Sequence, residues 1–113
     1  MIRNDKVYLK HILDAISFIE KHCGKIIAVN FYKDALLQSA MVRQLEIIGE
    51  ASKFISGETK KQLPDIEWKR IISMRNKLIH EYFGVDLNVV WTTIKKELPK
   101  LKEAISAYMK SSA

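Results

Sequence analysis

The sequence predicts an all-α protein, an antiparallel bundle of four to five helices in one domain over residues 1–113. Only four Gly and two Pro occur among the 113 residues, too few for an all-β protein with many turns. Apolar residues recur at helical spacing, without the alternation expected of strands. Hydrophobic residues make up 48% and charged residues 28%, which is typical of a globular domain.

The first predicted helix has Asp5 as its cap and ends at Gly24. Residues 24–30 form a connection, and a second, longer helix runs from about 31 to 56, before Gly57. This second helix carries two apolar stripes, so we expect it to contact the core and also a second subunit. The first helix carries its apolar stripe at Tyr8, Ile12, Ala15, Ile16 and Ile19. On the second helix, one stripe is Leu37, Met41, Gln44, Ile48, Ala51 and Ile55, and the other is Leu36, Ala40, Ile47 and Phe54.

Two further helices are predicted after a polar linker at 58–64, which has room for a helical turn. Asp65 is the expected cap of the third helix, which continues to about Tyr82 and is closed by Gly84. Asp86 is the expected cap of the fourth. Pro99 should interrupt that helix, because proline has no backbone N–H. The last segment places its apolar residues at Leu101, Ile105 and Tyr108.

Composition narrows the possible partners and the compartment. The net charge of +6 fits a polyanionic partner, but it fits a solvated lysine-rich helix surface equally well. The lone cysteine, Cys23, excludes an intramolecular disulfide and is typical of a reducing compartment. Adjacent side chains diverge on a helix, so His22 and Cys23 do not predict a metal site. The N-terminus lacks an apolar signal core and no run is long enough for a membrane span, so we expect a cytoplasmic protein.

The stretch RNKLIHEY, residues 75–82, places a charged side chain among core residues. At about 100° per residue, Arg75 lies at the centre of an apolar stripe. Burying a guanidinium without a partner costs several kcal/mol. Two interpretations stay open: an acidic partner such as Glu50 on the facing helix, or an anion-binding cleft. The stripe comprises Trp68, Ile71, Ile72, Leu78, Ile79 and Tyr82.

His80 adds a group that can exchange a proton near neutral pH. With an arginine on a phosphate, such a group suffices for metal-free RNA cleavage. However, His80 lies about 140° round the helix from Arg75. Convergence therefore requires a bent arginine, a loosened helix end or a second subunit, and a purely structural Arg75–Glu50 pair remains an alternative. His11 and His22 are interpreted as surface or capping residues.

The residues Arg75, His80 and Tyr82 match the R-x4-H-x-Y motif of HEPN ribonucleases. The segments RQLEIIGEASK (43–53), LPDIEWKRIISMRNKLIHEYFGVDLNVVW (63–91) and ELPKL (97–101) resemble the HepT-like toxins of the HEPN/MNT type VII toxin–antitoxin family. The resemblance implies a homodimeric helical bundle acting as a metal-independent endoribonuclease without a cofactor. It also implies that Arg75 and His80 are catalytic, with Asn76, Lys77 and Tyr82 as supporting or RNA-binding residues.

The same resemblance implies a partner, a minimal nucleotidyltransferase antitoxin that in some pairs transfers AMP to the motif tyrosine, here Tyr82. An AMP group would oppose RNA docking through its bulk and its negative charge. An alternative from another class is a non-catalytic helical subunit that binds substrate for the nucleotidyltransferase or restrains it.

Overall fold

The computed structural model describes residues 3–80 and 84–112, and the predicted all-α bundle is confirmed there. The described residues form four long helical segments and two short ones. In chain order these are α1 (Arg3–Cys23), α2 (Ala28–Phe31), α3 (Ala35–Lys53), α4 (Gly57–Lys61), α5 (Trp68–His80), and a continuous segment of α6 (Leu87–Thr92), a π-helical turn (Thr93–Glu97) and α7 (Leu98–Ser111). None of the described helices is long and apolar enough for a membrane span.

Helix α3 is the centre of the bundle, because it packs against α1 and against α5, while α7 covers another part of α1. Of the two apolar stripes predicted for α3, the one that contains Met41 and Ile48 faces the core, and both of these side chains are almost completely buried. Burying such a side chain contributes about 1.5–3 kcal/mol. The best-buried large side chains come from four of the six helical segments: Leu9, Ile12, Ile16, Ile19, Phe31, Met41, Leu45, Ile48, Val90 and Ile105.

The second stripe of α3 is not one continuous exposed patch. Leu36 is 83% exposed and Phe54 is 53% exposed, but Ala40 and Ile47 between them pack against the core. At 1.5 Å per residue, Leu36 and Phe54 are separated by about 27 Å along the helix. The two exposed residues therefore belong to separate surface regions at opposite ends of α3.

The prediction of a single helix from 31 to 56 was wrong at both ends. Phe31 is the last residue of the short helix α2 and is fully buried. The chain turns between Phe31 and the start of α3. Asp34 is the cap of α3, since its carboxylate accepts a hydrogen bond of 2.9 Å from the backbone N–H of Leu37. Helix α3 ends at Lys53, so Ser56 lies outside it.

Asp5 is not the cap of α1, because the helix begins two residues earlier and Asp5 lies in its first turn. The carboxylate instead accepts hydrogen bonds from the Ser56 N–H (2.9 Å), the Ser56 hydroxyl (2.6 Å) and the Thr59 hydroxyl (2.5 Å). Asp5 is only 2% exposed. It therefore joins the start of α1 to the start of α4, a long-range contact that the local sequence pattern does not reveal.

Replacing Asp5 with asparagine should lower the free energy of unfolding at pH 7 by about 1–3 kcal/mol, because the amide group would face hydroxyl and amide donors. Burial by itself would raise the pKa of Asp5, but hydrogen bonds from Ser56 and Thr59 and the charge of Lys60 hold that pKa below its ordinary value. The folded-state pKa is lowered, so this stabilisation is present above the unfolded-state value near 3.9 and is lost as the pH falls through the folded-state value.

Urea unfolding at pH 7 and at pH 3 checks this expectation. The variant should lose less stability on acidification than the parent, and the exposed residue Asp14 of the same helix offers a matched control in Asp14→Asn. Equal pH dependence in the parent and in Asp5→Asn would contradict the assigned role of Asp5.

The remaining helix boundaries follow the prediction in part. Asp86 is the cap of α6, accepting from the N–H groups of Asn88 and Val89. Asp65 is not the cap of α5, which begins only at Trp68 after a turn. The linker at 58–64 does contain the predicted helical turn, as part of α4. The predicted end of the third helix at Tyr82 lies outside the described residues.

Pro99 does not break the last long segment as predicted. The chain stays helical from α6 to α7, but it passes through the wider π-helical turn just before Pro99. A wider turn accommodates the missing N–H and the bulk of the proline ring. The same turn places the Lys95 ammonium against the carbonyl oxygens of Cys23 (2.8 Å) and Gly24 (3.2 Å), so that Lys95 caps the C-terminal end of α1. Helix α1 ends at Cys23, just before Gly24, as predicted.

Candidate functional site

Arg75 lies at a close contact between α5 and α3, and Gly49 makes that contact possible. A Cβ atom at position 49 would overlap the Cβ of Arg75 and lie 2.7 Å from its Cγ and 3.2 Å from the carbonyl oxygen of Ile71. Any larger residue would displace the arginine or separate the helices. Gly49 therefore determines the depth at which the Arg75 side chain sits, with 22% of it exposed.

The partner of Arg75 is Glu50, the residue next to Gly49. The Nη2 group of Arg75 pairs with the Oε2 atom of Glu50, which confirms the hypothesis that Glu50 neutralises the arginine. Its Nη1 group donates a hydrogen bond of 2.9 Å to the Oδ1 atom of Asn76. The Nε group has no hydrogen-bond partner among the described residues. The guanidinium thus contacts a carboxylate on the facing helix and an amide on its own helix, while the Glu50 Oε2 atom accepts no hydrogen bond among the described residues.

A cleft of about 290 Å³ opens beside this ion pair. Its walls come from α1, from α3 with Phe54 directly after it, and from α5. A second ion pair lies in it, between Arg43 and Glu46 at 4.0 Å. The residues that give the cleft its chemistry are Tyr8, His11, Arg43, Glu50, Phe54 and Arg75. The cleft therefore combines guanidinium groups, carboxylates and aromatic rings.

The other predicted site residues are placed unevenly. Asn76 is exposed and bonded to Arg75, whereas Lys77 is exposed and contributes no described polar contact. His80 is the last described residue of α5 and is exposed. No hydrogen bond or ion pair of the described residues joins it to Arg75. Tyr82 lies outside the described residues. One copy of the chain thus brings Arg75, Asn76 and Glu50 together, but not His80.

The face of α5 between Arg75 and His80 carries two isoleucines that are only partly covered. Ile72 and Ile79 are seven residues apart, so they nearly superimpose along the helix axis. Both are partly exposed, and neither packs against the core cluster of the described residues. Arg75 lies about 60° to one side of Ile72 and His80 about 80° to the other. A second surface covering these isoleucines would enclose both motif residues.

Tyr8, His11 and Phe54 line the cleft, although no pattern in the sequence connects them with Arg75. The Tyr8 and Phe54 rings stack with centroids 5.4 Å apart at 22°, and the His11 ring meets Tyr8 edge-on at 6.1 Å. His11 and His22 are indeed exposed, as interpreted from the sequence, but His11 also lines the cleft of Arg75. No local pattern could reveal this, because α1 and α5 are far apart in the sequence.

The arrangement is suited to binding an anion. Among the described residues, no three His, Cys, Asp or Glu side chains converge as metal ligands would. Arg75 presents paired donors that match a phosphate as well as they match a carboxylate. A phosphate that enters the cleft must therefore compete with Glu50 for the guanidinium.

Comparison with known families gives one match that spans most of the chain. The family model described as "Ribonuclease HepT-like" matches residues 12–108. No solved structure matches the chain significantly.

Individual relatives are similar over nearly the whole chain. A protein of Thermococcus cleftensis named "Probable ribonuclease HepT" is 47% identical over 90% of this chain and 93% of its own length. A protein of Caldanaerobacter subterraneus subsp. tengcongensis named "Putative RNase TTE0752" is 42% identical over 92% of this chain and 93% of its own length. A Methanocaldococcus jannaschii protein named "Gamma-glutamylcyclotransferase and putative RNase MJ0434" is 42% identical over 96% of this chain, but over only 49% of its own length.

Proposed function

Because the chain belongs to the ribonuclease HepT-like family, we propose that it is a metal-independent endoribonuclease and the toxin of a toxin–antitoxin pair. The observation that carries the proposal is the placement of Arg75. Gly49 and Glu50 hold its guanidinium at the edge of an open cleft, and Asn76 orients it. A guanidinium at this position can bind a phosphate group that displaces Glu50 from it.

In the proposed mechanism, the ribose 2′-hydroxyl attacks its own 3′-phosphate. The bond between the 2′-oxygen and phosphorus forms, the bond from phosphorus to the 5′-oxygen breaks, and the product ends in a 2′,3′-cyclic phosphate. A base takes the proton of the 2′-hydroxyl, and an acid gives a proton to the departing 5′-oxygen. His80 performs one of these transfers, while Arg75 stabilises the charge that develops on the phosphate.

The proposed enzyme is a two-fold homodimer that meets through α5. Ile72 and Ile79 form a partly exposed apolar line with Arg75 on one side and His80 on the other. A symmetric contact along this line, with the two α5 helices parallel, would bring His80 of each copy towards Arg75 of the partner. This would overcome the separation of about 140° between the two residues on one helix.

Two neighbouring residues support the proposed chemistry. The Asn76 side chain accepts a hydrogen bond from Arg75, so its role is to fix the guanidinium plane. Lys77 is exposed one residue further along α5, where an ammonium group can attract the RNA backbone. The role of Lys77 depends on RNA lying along the exposed side of α5.

The proposed regulator is a minimal nucleotidyltransferase that modifies Tyr82 with AMP, in the cytoplasm. Tyr82 follows His80 by two residues in the sequence. An AMP group there would add bulk and a negative charge close to the proton-transfer group, which would oppose RNA binding. Neutralisation of the toxin would then need no change in the fold.

Cleavage of single-stranded RNA by the purified chain should be unaffected by a chelator such as EDTA, because the proposed proton transfers and charge stabilisation use side chains only. The products should carry 2′,3′-cyclic phosphate and 5′-hydroxyl ends, which mass spectrometry identifies. Activity that disappears with EDTA and returns with Mg²⁺ or Mn²⁺ would refute the metal-free mechanism.

One observation favours the second candidate function, a non-catalytic subunit of a nucleotidyltransferase complex. Within one copy, Arg75 is already paired with Glu50, and His80 has no described polar contact with it. The same assay separates the two functions. A non-catalytic subunit would bind RNA or the transferase but would leave RNA intact with or without divalent ions.

A further inference from the structure

We propose that Tyr8, His11 and Phe54 form a subsite for one unpaired nucleobase of RNA, next to the arginine that holds the phosphate. The inference rests on the proposed function only in taking RNA as the ligand of the cleft. It adds a site on α1 and at the end of α3, away from the motif of α5.

The aromatic rings are arranged so that a further ring can be added. Tyr8 stacks on Phe54 at 5.4 Å, and Phe54 remains 53% exposed. His11 stands edge-on to Tyr8, with interplanar angle 77°, where its ring nitrogens can reach the edge of a bound base. Exposed stacked rings are the usual platform for unpaired bases, because every base has a π-face.

The position of the rings fits a nucleotide whose phosphate is held by Arg75. Phe54 follows Glu50 by four residues, so their Cβ atoms lie about 5–6 Å apart. Glu50 in turn contacts Arg75. Ring and guanidinium thus lie in one cleft, adjacent to each other, as the base and the phosphate of one nucleotide are.

The charge of the cleft favours a nucleic acid over an apolar partner. Beside the rings, the cleft is lined by Arg43, Glu46, Glu50 and Arg75. An apolar protein surface would have to bury these charged groups, whereas the phosphate of a nucleotide can pair with a guanidinium.

A second exposed aromatic residue of α1 offers a matched control. Phe18 is 39% exposed and packs against His22 with ring centroids 4.4 Å apart, so it repeats the phenylalanine–histidine combination. It does not line the cleft of Arg75. Phe18→Leu should therefore leave RNA binding unchanged.

The test is a coupling experiment between the ring and the base. Full-length His80→Ala protein, which should bind RNA without cutting it, is titrated with short single-stranded RNAs that each carry one abasic nucleotide at a successive position. Phe54→Leu in the same background should weaken binding of intact RNA by about 5- to 150-fold, the cost of one lost stacking contact. At one position the abasic RNA should bind equally to both proteins, because the stacking partner is already absent.

The outcomes separate the possibilities. If Phe54→Leu and the abasic nucleotide lower the RNA affinity independently at every position, so that their two factors multiply, the subsite is overturned. A Phe54→Leu variant that changes the oligomeric state by sedimentation but shows no coupling would also overturn it, since Phe54 would then face a second copy of the chain. If the coupling is found but the unmodified protein cuts no RNA, the subsite is upheld and the proposed nuclease activity is refuted.

Photocross-linking supplies an independent readout. Single-stranded RNA with 5-iodouridine at the coupled position should cross-link to the peptides that carry Tyr8, His11 or Phe54. Cross-links found only in other peptides would overturn the assignment.

Discussion

Replacing His80 with alanine is expected to reduce RNA cleavage by about 10²- to 10⁴-fold, the usual contribution of a proton-transfer group. Expression of the parent chain alone should arrest growth and degrade RNA, and the variant should do neither. The fold should be preserved, because His80 is exposed and makes no described polar contact. Growth curves and RNA integrity after induction, followed by cleavage assays on both purified proteins, measure the effect.

The control for this experiment is His22→Ala. His22 is also an exposed histidine near the end of a helix, but it contacts Phe18, away from the cleft. It should behave as the parent in both assays. Full cleavage by a correctly folded His80→Ala variant would remove His80 from the mechanism, and harmless expression of the soluble parent would favour the non-catalytic subunit.

Arg75→Ala should also lower cleavage by at least about 10²-fold, because it removes the donors that stabilise the transition-state charge. Its effect on stability is the more informative quantity. The pair with Glu50 is partly exposed, at 22% and 42% of the two side chains. We therefore expect a loss of about 1–2 kcal/mol, between the values for surface pairs and for buried ones.

The double variant Arg75→Ala/Glu50→Ala separates the structural role from the catalytic one. Removing the carboxylate as well should recover part of the lost stability, because no unpaired charge remains. Cleavage should stay as low as in Arg75→Ala. Recovery of cleavage together with stability would show that Arg75 acts only by supporting the fold. Arg43→Ala, which removes a more exposed pair of the same cleft, should change stability by less than about 1 kcal/mol.

The boundaries that depended on local interactions could be predicted from the sequence. The end of α1 at Cys23 and the cap of α6 at Asp86 follow from residues adjacent to the boundary. Asp5 and Asp65 were wrongly predicted as caps, because an aspartate before a helical pattern has the same local signature whether it caps the helix or not. Asp5 is used by Ser56 and Thr59 instead, more than fifty residues away in sequence.

For the candidate site, the sequence by itself determined the unusual residue, Arg75, because a guanidinium among apolar neighbours is visible in the helical period alone. It also indicated Glu50 as a partner for that charge. Only the tertiary structure decided how deep the arginine lies, since the contact with Gly49 depends on how α3 and α5 meet. It alone brought Tyr8, His11 and Phe54 to the same cleft, because side-chain periodicity describes one helix at a time, while a cleft is formed by the packing of several.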